Sequence, residues 1–136
     1  MISFTICTVP PSINQLERMH WAVKKKLRRA FAKEISLALC QQNGSLEFHG
    51  LTDGAIRNHE WRLRLSTTIY WKTRRLDEDN AMGSLKILID AMRDIGLIYR
   101  DSPKWLKVDK PIQKLDHKNP RVEIAIEELN GGPSCS

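Results

Sequence analysis

Between residues 61 and 94 the hydrophobic period changes once, and that change constrains the fold more than any other feature of the chain. Over residues 61–72, WRLRLSTTIYWK, the side chains of Trp61, Leu63, Leu65, Thr67, Ile69 and Trp71 share one face, and Arg62 and Arg64 take the other. This two-residue alternation, rich in β-branched and aromatic residues, predicts a strand. From about residue 81 to 94 the apolar positions recur at three and four: Met82, Leu85, Ile89, Met92 and Ile95, with Leu88 and Ala91. That spacing predicts a nearly buried helix, closed by Gly96. In the turn between them Arg74-Arg75 gives way to Asp77-Glu78-Asp79-Asn80.

The other segments fit around this unit. Residues 2–9 predict a strand with Ile2, Phe4 and Ile6 on one face, stopped by Pro10-Pro11-Ser12. A helix is predicted over about 16–40, with Val23, Leu27, Phe31, Ile35 and Leu39 inward and a basic face of Arg18, Lys24, Lys25, Arg28, Arg29 and Lys33. Gly44 is its expected C-cap. Residues 44–58 read as a loop, 97–100 as a short strand, 105–115 and 121–129 as the last two strands, and 130–136 as a frayed tail. The order β-α-β-α-β-β predicts an α+β domain over 1–129, one mixed sheet covered by two helices. With 136 residues, such a domain buries a core without disulfide or metal support.

The formal net charge is +6, unevenly spread. Residues 1–75 hold 13 Lys and Arg against 5 Asp and Glu, and residues 76–136 hold 9 against 11. A basic half of this kind fits a polyanion, nucleic acid first. No stretch has the roughly 18–20 apolar residues of a membrane helix, and no basic-then-apolar leader opens the chain. Cys7, Cys40 and Cys135 are far apart and no CxxC occurs, which fits a reducing compartment; a cytoplasmic protein without a zinc site is expected. The histidines are scattered, and a Walker loop and a dinucleotide fingerprint are absent. Trp21, Trp61, Trp71 and Trp105 are candidates for core, interface or base stacking, with the core the first expectation for each.

Clustered carboxylates are how proteins hold Mg²⁺, and a bound cation of this kind drives phosphodiester hydrolysis, with Arg74 and Arg75 placed for the phosphates. The competing reading is structural: Asp and Asn cap helices, and acids in the first turn complement its dipole. An EF-hand is excluded, since Gly83 falls at loop position seven and Leu88 stands at position twelve. Asp79, Gly83, Lys86 and Asp90 form a narrow polar stripe along the second helix. There, Lys86 can face a scissile phosphate, and Asp90 can belong to the site or pair with Lys86 as a structural ion pair.

These pieces resemble, in order, the core motif of the RusA family of Holliday-junction resolvases. They are Pro10-Pro11-Ser12-Ile13-Asn14, Asp77-Glu78-Asp79-Asn80, Lys86, Asp90-Ala91-Met92, Gly96 and Asp101-Ser102-Pro103-Lys104. The resemblance runs from Pro10 to about Val108. It implies a homodimer that cuts four-way DNA junctions with Mg²⁺ or Mn²⁺. In that scheme Asp77, Asp79 and Asp101 hold metal and Lys86 is the active-site lysine. Asn14, Lys24, Arg28, Arg74 and Arg75, together with Arg62 and Arg64, are expected on the DNA backbone. Two departures stand out. The Asp-to-Lys spacing is longer by three residues, as though Gly83-Ser84-Leu85 were inserted, and Arg100 replaces the first acid of a downstream pair. The alternative expectation is a non-catalytic junction-binding protein on the same fold.

Overall fold

The structure, a computed structural model, describes residues 2–42, 62–98 and 102–129. Its elements are β1 (Ile2–Ile6), α1 (Ile13–Arg18), α2 (Trp21–Gln42), β2 (Leu63–Trp71), α3 (Glu78–Asp94), β3 (Leu106–Val108), β4 (Ile112–Leu115) and β5 (Arg121–Glu128). The α+β class is as expected, one mixed sheet with two long helices. One short helix and one strand are additional. The expected loop over 44–58, the Gly44 cap, Trp61 and the tail over 130–136 lie outside the described residues.

The alternation in β2 is carried through. Positions 63, 65, 67, 69 and 71 are buried, and those between are half-buried. On β5, Val122, Ile124 and Ile126 are buried in the same way. β5 lies between β1 and β2, antiparallel to both, with Ile2 opposite Ile126 and Leu65 opposite the same residue. β3 and β4 run parallel to β2 along its other edge, at Leu63–Leu65 and Thr68–Trp71 respectively. The single strand expected over 105–115 is therefore two. Pro111 has no N–H for a ladder, and Asp109 turns its carboxylate to Arg64 Nε at 2.6 Å and Ser66 Oγ at 3.2 Å.

The helix expected over 16–40 divides at Met19-His20. Ser12 caps α1: its Oγ accepts from Gln15 N–H at 3.2 Å while Gln15 Oε1 accepts from Ser12 N–H at 2.9 Å. Met19 is extended. The His20 carbonyl then accepts from Lys24 N–H, and its Nδ1 from Ala22 N–H at 3.2 Å, so His20 starts α2. Phe31, Ile35, Ala38 and Leu39 of α2 are buried in the core shared with the sheet. Residues 21–26 are exposed, and Val23, expected inward, is 54% exposed. Glu34 accepts from the N–H groups of Cys7 and Thr8, both at 3.0 Å, which explains why β1 stops at Ile6 rather than continuing to residue 9.

Helix α3 buries Ala81, Ser84, Leu85, Ile87, Leu88, Ala91 and Met92. Gly96, at φ 82°, takes the left-handed conformation that ends it. Leu97 N–H and Ile98 N–H both turn back to the Met92 carbonyl, so these two buried residues close the helix instead of opening the expected strand. Residues 99–100 of that strand lie outside the described part. No helix among the described residues is long and apolar enough to cross a membrane.

Candidate active site and adjoining groove

The acidic turn is built at the point where β2 hands over to α3. Asp77 is extended (φ −66°, ψ 163°), and its Oδ1 accepts from Asn80 N–H at 2.8 Å. The capping role weighed from the sequence is therefore realised at Asp77. Its Oδ2 accepts no hydrogen bond among the described residues. Glu78 pairs with Lys110 Nζ at 3.0 Å, both well exposed. Asp79 is exposed in the first turn and forms no ion pair among the described residues.

The approach to this turn is clamped by a residue that the sequence did not single out. Gln113 on β4 accepts through Oε1 from Trp71 Nε1 at 2.7 Å and from Leu76 N–H at 2.9 Å, and its Nε2 donates to the Leu76 carbonyl at 2.9 Å. Both backbone groups of the residue before Asp77 are thus satisfied by one amide side chain. Arg74 and Arg75 precede the clamp and are exposed; Arg75 borders a shallow depression shared with Glu78, Lys110 and Gln113.

Asp101, the third expected ligand, and Arg100 lie outside the described residues. Among the described residues no group of three or more His, Cys, Asp or Glu is placed to hold an ion. Asp77, with one oxygen left over from its cap, and Asp79, without an ion pair, are hard oxygen donors of the kind Mg²⁺ takes. That ion keeps much of its water and is commonly held through one or two carboxylates.

The polar stripe on α3 is interrupted. A Cβ on Gly83 would lie 2.8 Å from Ile13 Cβ, so the missing side chain is what admits α1 against α3. Ile13 sits where the stripe passes from Asp79 to Lys86, and the neighbouring Asn14 is exposed on α1. Lys86 is exposed on the far side of this contact. Asp90 pairs with Arg93 at 3.6 Å, not with Lys86, which replaces the Lys86–Asp90 pair considered from the sequence.

Beyond α1 lies a groove of about 590 Å³ between α1, the first turns of α2 and the middle of α3. Lys86 borders it, as do Lys24, Lys25, Arg28 and Arg29. Its carboxylates are Glu17, Asp90 and Asp94, so five cations face three acids. Arg28 is not free for a phosphate: its Nε and Nη2 both donate to Asp94, tying α2 to the end of α3. That hydrogen bond, with the nearby guanidinium charge, holds the Asp94 carboxyl below its usual range. Lys24, Lys25, Arg29 and Lys86 have no ion pair among the described residues.

No protein-family model and no curated protein matches the chain.

The other expected cations are divided. Arg64 lies on the sheet face turned away from the core and is bonded to Asp109, with Glu127 3.6 Å away, so it is a structural arginine. Arg62 is exposed just before β2. Of the tryptophans, Trp71 is buried and Trp105 half-buried, but Trp21 is 70% exposed at the mouth of the groove. Its position after a capping-box helix was the available signal: Ser12-x-x-Gln15 announces a separate α1, and a residue opening the next helix need not reach the core.

Proposed function

We propose that the protein is a metal-dependent, structure-selective DNA endonuclease that resolves four-way junctions, in keeping with its resemblance to the RusA family. The observation that carries this reading is the charge arrangement at the N-terminus of α3. Asp79 and the second oxygen of Asp77 stand open, with Arg74 and Arg75 before them in the chain and Lys86 after them, none in an ion pair among the described residues. Mg²⁺ (or Mn²⁺), when bound, supplies a polarised phosphate and an acidified water. Asp77 and Asp79 are the described residues that would hold it, and Asp101 is the third by resemblance. Arg74 and Arg75 take phosphates leading into the site, as forked donors. Lys86 steadies negative charge that develops on the phosphate, since its ammonium is neither paired nor buried. Lys24 contributes to backbone affinity, and Asn14 sits beside the α1–α3 contact for a polar contact to the strand. Arg28 acts there indirectly, by fixing α2 to α3. A twofold homodimer offers paired nicks to a twofold junction, and a cytoplasmic location suits such a substrate.

The deciding experiment incubates the protein with a synthetic four-way junction in Mg²⁺. Paired incisions that disappear in Asp79→Asn support the proposal. Tight, salt-sensitive binding with no cutting in Mg²⁺ or Mn²⁺ replaces it with a non-catalytic junction binder.

A further inference from the structure

Trp21 is the largest exposed apolar side chain among the described residues, and nothing in the proposed hydrolysis uses it. It is 70% exposed, whereas Phe31, ten residues along the same helix, is 1% exposed. Its setting is ordered. The His20 ring lies beside it, centroids 5.5 Å apart at 33°, and that imidazole is itself fixed because Nδ1 accepts the Ala22 N–H. Trp21 also borders the groove that carries the unpaired cations Lys24, Lys25, Arg29 and Lys86. A flat aromatic face beside unpaired ammonium and guanidinium groups matches one ligand chemistry well: a base that has left its stack, with its phosphates alongside. A paired duplex offers the cations the same phosphates, but its bases are stacked and give the indole nothing to cover.

From this we infer that Trp21 is a stacking platform for an unpaired nucleotide of DNA, held with its backbone in the groove between α1, α2 and α3. This rests on the DNA-binding part of the function proposed above, and not on cleavage. It adds a source of selectivity: strands with splayed bases, such as those at a branch point, gain a contact that continuous duplex lacks.

The test is binding in EDTA, so that no strand is cut, to an oligothymidylate, a blunt duplex of the same length and a four-way junction. Wild-type tryptophan emission should be quenched by oligothymidylate, and the quench should largely vanish in Trp21→Phe. Trp21→Ala should weaken oligothymidylate binding by about 10- to 100-fold while duplex affinity changes by less than about twofold, and Trp21→Phe should restore much of the loss. Lys25→Ala with Arg29→Ala should weaken all three ligands and flatten their salt dependence. Equal losses on duplex and oligothymidylate in Trp21→Ala, or no loss on either, overturn the platform and leave the endonuclease reading standing. Trp21-dependent binding without junction cutting in Mg²⁺ does the reverse. Absence of DNA binding even at low salt overturns both and assigns the exposed indole to a protein contact.

Discussion

At Asp77 a helix cap and a negative charge reside on one side chain, and substitution can separate them. Asn caps as well as Asp does, because the cap needs only a side-chain oxygen for the Asn80 N–H. Asp77→Asn should therefore unfold within a few tenths of a kcal/mol of wild type, whereas Asp77→Ala should lose about 1 kcal/mol. Both should lose junction cutting. Urea unfolding beside a cleavage assay reads the two effects, and cutting by Asp77→Asn would leave Asp77 with capping alone. A second residue-scale case lies under the sheet. Thr67 is 4% exposed on the core face of β2, and its hydroxyl has no hydrogen-bond partner among the described residues. Valine has the same shape without the orphaned hydroxyl. Thr67→Val should raise stability by about 1 kcal/mol, read as a higher urea midpoint at unchanged slope.

Among the elements, α1 shows how one missing side chain sets a packing distance. Gly83→Ala would improve helix propensity by about 1 kcal/mol on an isolated helix. Here the new methyl would meet Ile13 Cβ, a branched carbon that cannot swing aside. The substitution should instead destabilise by about 1–3 kcal/mol, and Ile13→Gly, which removes that Cβ, should cost less in the Gly83→Ala chain than in wild type; calorimetric unfolding of the single and double variants measures this. The same contact explains what could be read from the sequence. The periods of β2 and α3 were legible, because each repeats over enough residues to fix a buried face. The acidic turn was legible as a helix start. What was hidden came from partners distant in the chain: Glu34 cutting β1 short, Asp94 claiming Arg28, Gln113 clamping Leu76. Gly83 likewise reads as part of an insertion until Ile13 is brought against it.

On the scale of the whole molecule, arginine–carboxylate pairs add polar ties outside the core that all the long elements share. Arg28–Asp94 links the two long helices, Arg64–Asp109 fastens the β3–β4 bend to β2, and Arg121–Asp116 closes the turn before β5. In each case the hydrogen bond from the arginine is the main cause holding the carboxyl below its usual range. A carboxyl lowered on folding favours the folded state above its unfolded pKa, near 4. That contribution is lost as the pH falls through the lower folded value. Stability should therefore drop below about pH 4, and Asp109→Asn should be weaker at neutral pH with a shallower acid decline, as followed by urea midpoints between pH 7 and pH 2. The order of strands has a kinetic consequence as well. β5 is the last described strand, yet it lies between β1 and β2 and bonds to both. β3 and β4 can take one edge of β2 first, but β1 and the other edge of β2 have no strand partner among the described residues until residues 121–128 arrive. Pairings that span more than a hundred residues, such as Ile2 with Ile126, carry a large loop-closure cost and slow the search. On the ribosome, β1 must wait with its backbone edge unpaired, and it is the emergence of residues 121–128 that joins it to β2 in one sheet.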